Sequence, residues 1–146
     1  EVWYDGGDYF WEVADVTGSA GTAYDTIAVT GTLNLANLGT GGFTIDLWTL
    51  SSVGPDVHGN AAGFDQTQNY SWTIVSTTSG ILGFQAGDFV VDASGFTNPK
   101  NGIFAVAQSG GDLLLTYTAI PEPATWALLA GGLAAFLAAR RRRPRD

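Results

Sequence analysis

Hydrophobic and polar residues alternate with a period of two along most of the chain before residue 120. In the run TIAVTGTLNLA, the large aliphatic side chains share one face: Ile27, Val29, Leu33 and Leu35. Such alternation is typical of a half-buried β-strand. Because its phase survives across Gly31, the pattern predicts one long strand over residues 26–35, in which the glycine allows close backbone approach.

Four further runs alternate in the same way: FTIDLWTL, YSWTIVSTT, FVVDAS and DLLLTYT. In the first, the phase slips at Trp48, as it does at a bulge or at a strand end. The segment QSGGD lies between two alternating runs and predicts a hairpin. No run before residue 120 has helical spacing, so residues 1–119 are expected to form an all-β body.

Two architectures fit this body. The chain contains no methionine and opens at Glu1 within a strand-like pattern, which suggests a C-terminal fragment of a longer precursor. A β-solenoid can begin at any rung, so this opening favours the C-terminal rungs of a β-solenoid. Residues 1–119 contain no strict repeat, however, and a β-sandwich remains the alternative.

Residues 120–146 have a different pattern. Pro121, Glu122 and Pro123 precede an uncharged apolar span over residues 124–139, and a basic cluster follows over residues 140–145: Arg140, Arg141, Arg142, Arg143 and Arg145. As a helix, 16 residues extend roughly 24 Å, a little less than the ~30 Å hydrocarbon core of a bilayer. A buried core helix would not be apolar on every face. The pattern therefore predicts a single C-terminal transmembrane helix.

The charges are divided between the two segments. Residues 1–123 contain 13 acidic residues and one lysine, Lys100, a net charge of about −12, whereas residues 124–146 carry +4. An acidic body excludes nucleic acid as a partner, because phosphate binding needs basic patches. Arginines beside an apolar span stay on the cytoplasmic side of a membrane, so the body is expected on the opposite side.

The order Pro-Glu-Pro, apolar span and terminal basic cluster resembles the PEP-CTERM sorting signal of Gram-negative bacteria. The resemblance implies recognition by exosortase, a membrane processing enzyme, and cleavage near Pro121, Glu122 and Pro123. It further implies transient anchoring in the inner membrane, export to the cell surface or medium, and an association with exopolysaccharide and biofilm. Proline on both sides of Glu122 also favours an extended backbone that a protease can bind.

The body is similar to the C-terminal part of autotransporter-like β-strand-repeat proteins. The runs that carry this similarity are YDTIAVTGTLNLANLGTGGFTIDLWTLSS, FDQTQNYSWTIVSTTSGI and FTNPKNGIFAVAQSGGDLLLTYTAIPEPATWALL. The similarity implies an elongated β-solenoid and brings no catalytic residues with it.

Few residues are candidates for metal binding. His58, the only histidine, lies near Asp56 in a segment that contains glycine and proline. Because the chain has no cysteine and no second histidine to complete a zinc site, we expect His58 to be a solvated loop residue. Asp5 and Asp8 could offer oxygen ligands to calcium, but their spacing matches no known calcium motif, and Asp with Gly is equally typical of turns. We therefore expect no metal and no cofactor.

The aromatic residues allow a binding function. A sugar-stacking face could be formed by Trp3, Trp11, Trp48, Trp72, Tyr4, Tyr9 and Tyr70, although core or inter-rung packing explains most of them more simply. No Gly-x-Ser-x-Gly segment occurs, and no pair of carboxylates is singled out. The sequence therefore predicts a non-catalytic exported surface or matrix protein. The alternatives are a secreted polysaccharide-active enzyme or a carbohydrate-binding module whose active part lies upstream.

Overall fold

A computed structural model describes residues 1–52 and 56–121, and this part of the chain is mainly β. A single 3₁₀ turn, Ala86–Asp88, is the one helical element among these residues. The strands are β1 Gly7–Val13, β2 Ile27–Val29, β3 Leu33–Asn34, β4 Phe43–Ser52, β5 Val57–His58, β6 Tyr70–Thr77, β7 Ile81–Leu82, β8 Phe89–Gly95, β9 Ile103–Ser109 and β10 Asp112–Thr118.

The first sheet is built from three parallel strands, with β4 between β1 and β8. Gly7 lies opposite Phe43, and Phe43 lies opposite Phe89, so the three strands begin level with one another. The short strand β5 pairs antiparallel with the end of β4. This arrangement places every second side chain of three stacked strands on one outer face.

The second sheet has the order β2-β6-β10-β9. Its β2 and β6 are parallel, whereas β10 is antiparallel to both β6 and β9. A third, shorter ladder joins β3 to β7 in parallel. The chain thus passes through three ladders as β1, β2 and β3, and then in the same order as β4, β6 and β7.

One hydrophobic core contains the inward side chains of both large sheets. Trp11 of β1 and Trp72 of β6 are almost completely buried, with ring centroids 5.5 Å apart. Their indole N–H groups donate to the carbonyls of Asp25 at 2.8 Å and Val16 at 2.9 Å. Because a buried N–H group without an acceptor is costly, these two bonds allow tryptophan deep in the core.

The prediction of one strand over residues 26–35 is wrong. β2 ends at Val29, and β3 begins at Leu33 in a different ladder. Gly31 lies between them with φ +104°, and its N–H group donates to Thr78 Oγ1 at 2.7 Å. Both strands face the same core, so the alternation keeps its phase around this corner even though the strand does not continue.

The predicted phase slip at Trp48 is also wrong in position. Thr49 is fully buried, so the alternation of β4 runs through Trp48 and changes only at Leu50, which is buried as well. The irregularity near Trp48 belongs to β8, where Asp92 and Gly95 face Asp46 and Trp48 with one extra residue between them. The hairpin predicted at QSGGD is confirmed, since β9 and β10 are joined by Gly110 and Gly111.

The described residues end at Pro121. Glu122, Pro123, the predicted transmembrane span over residues 124–139 and the arginines of residues 140–145 therefore lie outside them. Among the described residues, no helix has the length and apolar character needed to cross a membrane.

Candidate functional site

The junction between body and tail is held by side chains of the body. After β10 ends at Thr118, the N–H group of Ala119 donates to Asn69 Oδ1 at 2.9 Å. Asn101 Nδ2 lies 3.4 Å from the carbonyl oxygen of Ile120. Pro121, the first residue of the predicted sorting motif, is exposed immediately beyond these contacts.

Tyr117 fixes the strand end beneath this junction. Its ring is 1% exposed, and its hydroxyl donates to the carbonyl of Gln66 at 3.1 Å and accepts the N–H group of Asn101 at 3.2 Å. A Cβ atom at Gly102 would overlap the Tyr117 ring and the Thr118 carbonyl, so only glycine fits beside the ring. The body therefore presents the start of the tail from a tightly packed strand end.

A second candidate site lies on the outer face of the first sheet. Phe10, Trp48 and His58 form an aromatic strip there. The rings of Phe10 and Trp48 lie 5.5 Å apart, and those of Trp48 and His58 stack at 3.9 Å with an interplanar angle of 23°. Phe10 is 48% exposed. Because its aromatic rings lie together on an outer face of the sheet, this strip is a candidate binding surface.

The backbone of β8 accommodates this strip. His58 Nε2 lies 3.0 Å from the carbonyl oxygen of Gly95, which orients the imidazole. A Cβ atom at Gly95 would overlap the Trp48 ring, so the indole depends on the missing side chain to lie against β8. His58 is exposed, as predicted, but it lies in β5 and stacks on an indole instead of belonging to a loop.

Carboxylates surround the strip. Asp46 lies opposite both Phe10 and Asp92. Desolvation, together with the charges of Asp92 and Asp8, raises the pKa of Asp46 above its ordinary range. Because like charges on neighbouring strands repel, this face favours an added positive charge.

A small acidic cleft of about 190 Å³ adjoins the strip. Its lining includes Glu12, Tyr24, Asp25 and Asp56. Glu12 lines this cleft and also lies opposite Trp48, so this residue borders both the cleft and the strip. Desolvation raises the pKa of Glu12, and the charges of Asp25 and Asp56 raise it further.

The calcium candidates have other contacts in the structure. Asp5 Oδ1 accepts the N–H group of Gly39 at 2.7 Å and so fastens the turn before β4. Asp8 is exposed on β1. In residues 1–52 and 56–121, no three histidine or acidic side chains are arranged to hold a metal ion.

Most of the residues predicted to form a sugar-stacking face lie in the core or pack against it. Trp3, Trp11 and Trp72 are buried, as the core-packing alternative predicted, and Tyr9 and Tyr70 pack partly against the core. Of the seven predicted residues, Tyr4 is exposed and Trp48 lies on the outer face. Phe10 was missed, because the neighbouring Phe10 and Trp11 look alike in sequence although they point to opposite faces.

Comparison with known proteins identifies the tail. Residues 119–143 match the family model described as the PEP-CTERM protein-sorting motif. Neither a curated protein nor a solved structure matches the chain. The match supports the identification of this tail as a PEP-CTERM sorting motif, which implies an exported protein that passes through the membrane and is sorted by exosortase.

Proposed function

We propose that the protein is a non-catalytic component of the cell surface or biofilm matrix, released from a transient inner-membrane anchor by exosortase. The observation that carries this proposal is the position of the sorting motif. Its match begins at Ala119, directly after the fastened end of β10. Cleavage near Pro121, Glu122 and Pro123 would therefore remove the tail and leave every strand of the described body intact.

In this proposal, Arg140, Arg141, Arg142, Arg143 and Arg145 hold the C-terminus in the cytoplasm before cleavage. The span over residues 124–139 anchors the precursor in the inner membrane. The acidic body then lies on the outer side, and its charge disfavours nucleic acid as a partner.

We further propose that the body comprises the C-terminal rungs of an autotransporter-like β-solenoid. Parallel pairing of β1, β2 and β3 with β4, β6 and β7 in the same chain order supports this architecture. The pairs Ile27–Val75 and Leu33–Ile81 have the same sequence separation, as expected for successive turns of one coil. In a solenoid, rungs contact only their neighbours and form an extended surface, which suits a matrix protein.

The mass of the C-terminal peptide from the native envelope and medium tests the processing step. We expect a chain that ends near Pro121–Pro123, and an uncleaved chain when Pro121 and Pro123 are both replaced by alanine. A wild-type chain that still ends at Asp146 in the membrane fraction would show that the tail is a permanent anchor.

The aromatic strip favours a second candidate function, carbohydrate binding. Phe10 and Trp48 offer apolar ring surface beside carboxylates that can accept hydrogen bonds. This combination suits a sugar ring, whose C–H face is apolar and whose edge carries hydroxyl groups. Exopolysaccharide is the partner that this function implies. The alternative of a polysaccharide-active enzyme is tested by incubating the protein with the same polymers and measuring the release of reducing ends.

A further inference from the structure

We infer that the aromatic strip and its adjoining cleft bind a polysaccharide that carries protonated amino groups. This inference rests on the carbohydrate-binding function proposed above and names the chemical class of the ligand.

The shape of the surface accepts an extended chain. The outward residues of β1, β4 and β8 stand in register, and adjacent strands lie about 4.8 Å apart. Phe10 and Val90 are each nearly half exposed, and the Trp48–His58 stack continues the apolar surface beyond Phe10. These side chains form a shallow platform on which sugar rings can stack.

The charge of the surface selects among polysaccharides. Asp8, Asp46 and Asp92 lie on the platform, and Glu12 borders the cleft that Asp25 and Asp56 also line. Lys100, the single lysine or arginine of residues 1–123, instead donates to the Phe96 carbonyl at 2.7 Å. The one lysine of residues 1–123 is thus bonded to a backbone carbonyl, and no arginine of these residues is present to neutralise the carboxylates.

A ligand with ammonium groups supplies the missing positive charge. An ammonium group beside Phe10 or Trp48 gains a cation–π contact, and it donates a charge-assisted hydrogen bond to the carboxylate of Asp46 or Glu12. A neutral polysaccharide leaves these carboxylates unpaired. A uronic acid polymer is repelled by them, so the charge complementarity points to an amino sugar polymer.

Binding is measured with the 146-residue chain in detergent, using a β-1,4-linked glucosamine hexamer, its fully N-acetylated form and a uronic acid hexamer at pH 6. Calorimetry is expected to show the tightest binding for the glucosamine hexamer, weakened by salt. Phe10→Ala and Asp46→Asn should each raise its Kd at least fivefold. Asp112→Asn, which removes a charge from the second sheet, is the matched control and should leave the Kd unchanged.

The other outcomes separate the two proposals. Equal binding of the N-acetylated hexamer would overturn the amine preference and retain carbohydrate binding, whereas binding of none of the three would overturn both. Glucosamine binding that survives both Phe10→Ala and Asp46→Asn would place the site elsewhere and overturn this assignment. Unfolding temperatures of the two variants that are no lower than that of the wild type establish that any loss of affinity is local.

Discussion

A buried side chain has to fill the space available to it in the core, and each of its polar atoms needs a hydrogen-bond partner. Trp72 satisfies both, since it is 2% exposed and its N–H group donates to the Val16 carbonyl. Trp11 does the same with the carbonyl of Asp25. The two loops that supply these carbonyls are therefore held to the core by the indoles.

Replacing Trp72 by alanine should destabilise the protein by roughly 3–5 kcal/mol, because it leaves a cavity and removes the partner of the Val16 carbonyl. Urea unfolding measures the change. Tyr4→Ala, at a position that is 61% exposed, serves as the control and should change the free energy of unfolding by less than about 0.5 kcal/mol. Similar losses for the two variants would contradict the packing described.

Asp46→Asn should stabilise the protein at neutral pH. In the folded state desolvation, Asp92 and Asp8 raise the pKa of Asp46, so the folded state favours the protonated carboxyl. Stability is therefore lost as pH rises from the ordinary pKa through the raised one, and the asparagine variant escapes this loss. Thermal unfolding from pH 3 to 7 should show an advantage for the variant that disappears at the acidic end.

Asp65→Asn should have the opposite effect on stability at neutral pH. Hydrogen bonds from the backbone and side chain of Thr67 lower the pKa of Asp65, so its ionised form stabilises the fold above its ordinary pKa. The variant should lose stability at neutral pH and not at acidic pH. The same pH trend in both variants would mean that these local interactions do not determine the two pKa values.

At the scale of elements, the β9–β10 hairpin depends on its two-residue turn. Gly110 has φ +58°, a left-handed conformation that costs most residues about 1–2 kcal/mol. Gly110→Ala should lower the free energy of unfolding by about that amount, and Gly110→Asn by less, because asparagine tolerates this conformation. Equal losses from both substitutions would show that the turn is not the cause.

Strands were easier to predict than their partners. Alternation located β4, β6, β8 and β10 because each has one face in the core and one outside. It could not show that Val29 and Leu33 belong to different ladders, since a corner that keeps both strands on one core preserves the phase. Nor could it predict the aromatic strip, because Phe10 and Trp48 come together only through the parallel register of β1 and β4.

The tail was identifiable from sequence for a different reason. Its signal is a local order of motif, apolar span and arginines, which needs no tertiary contacts to be recognised. The contacts that receive it were not predictable, since Asn69 and Asn101 are far from Ala119 and Ile120 in sequence.

For the whole molecule, Asn69 and Asn101 hold the end of the body where the tail begins. Asn69→Ala removes the acceptor of the Ala119 N–H group, so the amide of Ala119 should exchange with solvent about tenfold faster. Hydrogen exchange of the 146-residue chain measures this rate. Buried amides such as that of Leu115 serve as the internal control, and faster exchange there would indicate a global loss of stability instead.

In the proposed membrane-anchored precursor, the fastened end of β10 would also limit the distance between the body and the membrane. Only residues 119–123 separate Thr118 from the apolar span, and fully extended they would cover about 17 Å at ~3.3–3.6 Å per residue. That clearance is less than the width of most folded domains. In the proposed precursor, exosortase must therefore reach the cleaved bond through the narrow gap between the body and the membrane. Lengthening the linker should speed processing even when the motif itself is unchanged.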